Sequence, residues 1–246
     1  MNSDRRTSIA TGALLIVATA AALAAAQLVD PVITGAKYLA ELATHPNQVA
    51  GGALLYLVAA AGSASIAISL YSVLKKVNPT LALGSVVLRA VEAGLYVVAV
   101  VSLLSVLTLS QQVSTDTTNH ASIQAVGDAL LSMREHATLA GVFAFSLGAA
   151  IYYVLFYQSR LVPRWLSGWG IAAVIVMMTA CLLALFSDTP ITGYTLLVLP
   201  IAVQEMVLAV WLLVKGFSAS ALQPRTSSKD PTTAATADAT TAPIVA

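Results

Sequence analysis

Charge is what this sequence has least of: only 9% of its residues are Asp, Glu, Lys or Arg, against roughly 25% in ordinary soluble domains. Hydrophobic residues make up 58% and the mean hydropathy is +0.85, so the principal solvent of the chain is the bilayer and not water. With a net charge of +1 there is no surplus of Lys and Arg to face phosphates, which argues against a nucleic-acid partner. A single cysteine, Cys181, excludes intrachain disulfides and Cys-rich metal sites. The three histidines, His45, His120 and His136, lack metal-ligand spacing. No P-loop, Rossmann glycine pattern, nucleophile elbow or His-Glu-x-x-His string occurs. The sequence therefore suggests no cofactor and no complete catalytic motif.

Long apolar runs are plentiful. A hydrocarbon core of about 30 Å needs roughly 20 apolar residues in helical form, and six runs meet that length: 9–29, 50–74, 83–109, 137–157, 166–186 and 194–214. None alternates as a barrel strand would, so the expected fold is an all-α membrane protein, a bundle of six transmembrane helices. With these spans, Arg5, Arg6, Lys75, Lys76, Arg160, Arg164, Lys215, Arg225 and Lys229 fall on one side, and only Lys37 and Arg134 on the other. Positive residues collect on the cytoplasmic side, which predicts cytoplasmic N- and C-termini. Trp165, Trp169, Trp211, Tyr71 and Tyr157 lie near the same boundary, where amphipathic rings anchor helices. The first span has a rival reading as a cleaved signal peptide, because Arg5 and Arg6 precede an apolar run ending in Ala24, Ala25 and Ala26; its length favours a retained span.

Residues 1–217 form the expected membrane domain. The segment 218–246 is rich in Thr, Ala, Ser and Pro with no aromatic residue, and reads as a disordered cytoplasmic tail. Between the first two spans, Thr34 is placed to cap a short interfacial helix carrying Lys37, Tyr38, Leu39, Glu41 and Leu42. In the longer connection, Ile123, Val126, Leu130 and Met133 recur at helical spacing and predict an amphipathic helix leading into the fourth span. On the second span Gly62, Ser65, Ser69 and Ser72 share a face, a pattern of close helix packing.

Three charges stand inside spans: Arg89 and Glu92 in the third, Glu205 in the sixth. Each costs about 2.5–3.5 kcal/mol on insertion scales, so each needs a partner or a water-lined cavity. Arg89 and Glu92 share a helix face with Ser85 and Tyr96. Glu205 is expected at a similar depth, with Gln204 beside it to complete a network and Pro200 to bend its helix. If both carboxylates face Arg89, one is uncompensated and should hold a proton or attract a cation. Three roles compete: fixing helix register, binding a proton or solute, and acid–base chemistry on a lipid-like substrate. The first makes this a structural or regulatory membrane protein, the reading that leads on sequence grounds. The second makes it a small proton- or cation-coupled transporter, for which three-plus-three spans would permit an inverted repeat. Membrane lipids are the expected partners; the sequence names no protein partner or small-molecule ligand, and it permits a homo-oligomer.

Residues 88–93 (LRAVEA), 161–170 (LVPRWLSGWG) and 199–211 (LPIAVQEMVLAVW), with 71–76 and 215–217, resemble the bacterial membrane family known as domain of unknown function 4386. The resemblance covers nearly everything before the tail. It implies a bacterial cytoplasmic membrane and brings no activity, cofactor or substrate. Members often carry an acidic residue where Tyr56 stands here, which weakens a shared site involving the second span.

Overall fold

The computed structural model describes residues 3–113, 120–187 and 189–218. Among these residues the chain is helical throughout, with no strand. Seven α-helices follow one another: α1 Ser3–Ile33, α2 Tyr38–Thr44, α3 Pro46–Leu74, α4 Pro79–Val113, α5 His120–Ser159, α6 Arg164–Leu185 and α7 Thr195–Val214, the last preceded by a 3-10 turn, Ile191–Tyr194. All except α2 are long and apolar enough to cross a membrane. The six-span reading therefore holds, with α1 and α5 reaching well beyond the apolar runs. At about 1.5 Å per residue, the 40 residues of α5 span about 60 Å, roughly twice a hydrocarbon core. The expected amphipathic helix before the fourth span is thus the first part of α5 itself. Most of the proposed tail, residues 219–246, lies outside the described residues; Ser218 donates its backbone N–H to the Leu161 carbonyl at 2.9 Å.

Proline and asparagine set the turns. Pro79 opens α4 where its missing N–H costs nothing, and the Asn78 side chain accepts the Leu81 N–H at 3.0 Å, capping the helix. Pro46 opens α3 in the same way. Gly216, at φ +78°, ends α7 in the left-handed region that favours glycine. Thr34 does not cap α2: Lys37 precedes that helix, and the Thr34 hydroxyl donates back to the Asp30 carbonyl at 2.6 Å. This bond closes the end of α1, a competing use of a threonine side chain that sequence position alone cannot separate from a cap.

Each long helix packs on its sequence neighbours, and α1 also packs on α7, so the six helices close into a ring. The termini of the described chain meet at one end of it. There Arg5 donates to the carbonyls of Leu212 and Leu213 at 3.1 and 2.6 Å, and Ser8 to Leu212 at 2.6 Å, satisfying the orphan carbonyls that end α7. Lys76 pairs with Asp4 at 2.9 Å on the same face. Trp165 and Trp211 meet edge to face with ring centroids 6.4 Å apart, and Arg164 lies over the Tyr157 ring. We call this end the basic face.

At the far end α2 buries Tyr38, Leu39 and Leu42 in a cluster with Val100, Leu103, Val106 and Leu107 of α4. It is built into the bundle, a closer attachment than an interfacial helix requires. The Tyr38 hydroxyl donates to Asp128 of α5 at 2.8 Å. Burial, and then the Asp128 carboxylate, raise the pKa of the Tyr38 phenol.

Small residues decide how closely the ring closes. A Cβ at Gly12 would stand 2.8 Å from the Ala209 carbonyl, and one at Gly62 would stand 2.9 Å from Ala18 Cβ, so α1 meets α7 and α3 at backbone distance. Of the α3 stripe, Gly62 and Ser69 serve packing, with Ser69 and Thr11 hydroxyls 2.8 Å apart, whereas Ser65 and Ser72 bond their own helix backbone. Gly12→Val is expected to force α1 from α7 and to lower stability by about 1–3 kcal/mol. Gly94, whose added Cβ would meet open space, should accept Ala with unchanged or slightly raised stability. Thermal unfolding in detergent checks both; equal melting of Gly12→Val and wild type would mean the α1–α7 seam carries no stability.

Candidate functional site

The ring of helices encloses charge at its middle. Arg89 and Glu92, each 3% exposed, project inward from α4, and Glu205, 8% exposed, from α7. Arg89 Nη1 stands 3.2 Å from Glu92 Oε2, as expected for residues three apart on one helix face. The contact is an ion pair without hydrogen-bond alignment, and Arg89 Nε and Nη1 have no hydrogen-bond partner among the described residues. Above the guanidinium plane lies the Phe145 ring of α5, with the centroid 4.6 Å from Cζ. Gly148 gives the Arg89 stem its passage: a Cβ there would stand 3.3 Å from Arg89 Cγ. Ser85 donates to the Gly148 carbonyl at 3.0 Å, so it holds α4 to α5 and does not contact the charges through a hydrogen bond.

The two carboxylates have separate partners. Ser63 of α3 donates to Glu92 Oε2 at 2.8 Å, and Tyr152 of α5 donates to Glu205 Oε1 at 3.3 Å. Among the described residues, Glu92 is the only carboxylate within ion-pair distance of Arg89; Glu205 stands farther off on the same cavity, within reach of the guanidinium charge. Gln204 does not complete that network. It accepts a short hydrogen bond from Tyr153 and donates to the Leu166 carbonyl at 3.1 Å, turned between α5 and α6. Residues 204 and 205 are neighbours on a helix and point about 100° apart, so one faces the chamber and the other the seam.

Between these groups lies a chamber of about 200 Å³ bordered by Arg89, Glu92, Glu205, Tyr56, Tyr96 and Phe145, among others. Towards the far face a second cavity of about 480 Å³ is lined by Asp30, Arg134, Glu135, Tyr56 and Tyr96 together with apolar side chains. Tyr56 and Tyr96 border both, and form the partition between this vestibule and the chamber. Arg134 binds at that partition: its Nη2 is 3.6 Å from Asp30 Oδ1 and donates to the Tyr56 hydroxyl at 3.4 Å.

Sequence reasoning named Arg89, Glu92, Glu205, Tyr96, Gln204 and Ser85. It missed Ser63, Phe145, Tyr152 and Tyr153 as their partners, and gave Arg134, Asp30 and Tyr56 no part in the site. Ser63 sits one residue from the stripe picked out on α3, and a hydroxyl within an apolar run is an available signal. The aromatic partners carry no such signal, since Phe and Tyr in membrane helices ordinarily serve as core.

Six apolar helices closed around a buried Arg–Glu pair define a multi-pass membrane protein with a charged internal chamber. The chain belongs to the family described as Domain of unknown function (DUF4386), whose model matches residues 10–216. No curated protein and no solved structure matches it.

Removing Arg89 should strand Glu92 in an apolar interior. Arg89→Ala is expected to cost about 3–5 kcal/mol, and adding Glu92→Gln should recover most of that loss. Glu205→Gln keeps the shape that receives the Tyr152 bond and should cost about 1 kcal/mol or less. Melting of the three variants and wild type in detergent checks the order; no recovery in the double variant would break the pairing of Arg89 with Glu92.

Proposed function

We propose that this protein is a small transporter whose coupling site is the chamber at Arg89, Glu92 and Glu205, with the vestibule as one route between the chamber and the far face. The observation that carries this reading is the shared wall: one pair of tyrosines separates the buried charges from a larger polar-mouthed cavity. A pair that only fixed helix register would be expected to close on itself with its donors satisfied. Here Arg89 borders a cavity and is held by one ion pair, with Nε and Nη1 lacking a hydrogen-bond partner among the described residues. That difference favours transport over the structural or regulatory role.

The charges supply the coupling. Arg89 compensates one carboxylate and leaves the other, so Glu205 exchanges a proton or a monovalent cation with whatever enters. Tyr56, held by Arg134, is the side chain that must move for the vestibule to open inward. With the basic face in the cytoplasm of a bacterial inner membrane, the vestibule opens outward.

Two tests follow from this arrangement. Reporters fused after Lys76, Arg164 and Gly216 should all report the cytoplasm, and an external signal at any of them would reverse or break the topology. For the chamber, Ala59, which lines it, is replaced by Cys in a Cys181→Ser background. A charged thiol reagent that cannot cross membranes should label it from the vestibule side, about tenfold faster when Tyr56→Ala is added. In parallel, the infrared carboxyl band that responds to pH should vanish in Glu205→Gln. Absence of labelling in both backgrounds, with no carboxyl response, would remove the coupling-site reading.

A further inference from the structure

The chamber has a second border that the vestibule does not explain. Ala18, Thr19, Ala22 and Leu23 of α1 and Val198 and Ala202 of α7 form one of its walls. Leu23 is 59% exposed on the outside of the ring and still borders the chamber, so the chamber comes to the lipid-facing surface at this seam. The closest approaches of α1 to α7 lie nearer the basic face, where Arg5, Ser8 and Gly12 meet residues 209–213. Beyond them the seam is lined by three alanines, a threonine, a valine and a leucine, mostly small side chains that leave a side portal.

What fits the chamber is constrained from three directions. Its walls are mostly apolar, which suits a hydrocarbon chain. Arg89 borders the chamber with a single ion pair and no hydrogen bond from Nε or Nη1 among the described residues, so the guanidinium can take an oxygen acceptor. Its volume, about 200 Å³, lies below the ~300–1,000 Å³ of sites for drug-sized ligands, which leaves room for a small head and a few methylenes. A phospholipid with two chains is too large at the head.

Resting on the coupling-site reading above, we propose that the transported solute is a long-chain carboxylic acid taken from the bilayer, its head on Arg89 and its tail leaving past Leu23 between α1 and α7. The groups facing the head are Arg89, Glu92 and Tyr96 of α4, Tyr56 of α3, Tyr152 of α5 and Glu205 of α7. A bare carboxylate would add a third negative charge beside a single guanidinium. The acid therefore enters with its proton: its carbonyl oxygen accepts from Arg89 and its O–H donates to Glu205, whose protein hydrogen bond comes from Tyr152. Proton and acid are taken together, and the charge of the site does not change.

The test uses the full chain in nanodiscs of zwitterionic phospholipid and palmitic acid carrying a photoreactive diazirine near its carboxyl end. Crosslinks are expected at residues 18–23 and 198–202, saturable, and displaced by unlabelled palmitic acid but not by hexadecanol or acetate. Ala22→Phe, which fills the portal without touching a charge, and Arg89→Gln should each reduce labelling at least tenfold. Because Arg89→Gln can fail by misfolding, Ala22→Phe is the deciding variant, with melting temperature as its control. Scattered non-saturable labelling, equal displacement by hexadecanol, or no effect of Ala22→Phe would overturn the proposal. If palmitic acid fails while Ala59→Cys is still labelled from the vestibule and the Glu205 band still responds, the solute class is wrong and the coupling site stands. If those fail too, both fall.

Discussion

A guanidinium in the middle of an apolar bundle must be surrounded by acceptors or by space that admits them, and the arrangement around Arg89 follows from that requirement. Its ion pair with Glu92 compensates charge, Phe145 offers a ring face, and Gly148 clears the stem. These contacts come from α4 and α5, the longest adjoining helices in the ring. The two helices pack closely against each other around the Arg89 side chain. The chamber lies beside the Arg89–Glu92 pair, and α1 together with α7, which carries Glu205, completes its wall.

The bundle was legible because its rule is simple. In hydrocarbon every backbone polar group must be bonded within its own helix, so an apolar run of sufficient length has one structure available to it. The segregation of Arg5, Lys76, Arg164 and Lys215 agrees with the face on which the structure gathers them. Charged site residues were legible for the complementary reason: Arg89, Glu92 and Glu205 are costly where they stand, and cost marks them. Tyr152 and Tyr153 were not, because a tyrosine costs little in a membrane helix whether or not its hydroxyl serves a carboxylate. Gln204 was misplaced by treating chain neighbours as spatial neighbours. The quantity that sequence alone lacks is the rotation of α7 about its axis, which decides whether residue 204 or 205 enters the chamber.

The far end shows a different limit. Thr34 has the chemistry of a cap and uses it on the helix behind it, while the amphipathic first turns of α5 run unbroken into the span. Both depend on contacts between segments distant in sequence. Tyr38 reaches Asp128, and Arg134 of α5 reaches Asp30 of α1 and Tyr56 of α3. Through these bonds the loop between the first spans is tied to the start of α5.

That tie bears on how the chamber is reached. Arg134 is only 11% exposed and holds a carboxylate from α1 and a phenol from α3, so separating Tyr56 from Tyr96 requires either a rotation at Tyr56 or a shift of α5 relative to α1. A shift of α5 would also carry Phe145 and Tyr152, the partners of Arg89 and Glu205. The side seam has no comparable bond: at the chamber's depth α1 and α7 present Ala18, Ala22 and Ala202 to each other's neighbourhood, with no hydrogen bond between the two helices there among the described residues. On the transport reading the two openings differ in restraint: the tyrosine partition is held by Arg134, and the apolar seam is not. Tyr152, which donates to Glu205, and Arg134, which donates to Tyr56, both stand on α5, so one helix carries the partner of the chamber carboxylate and the partner of the partition.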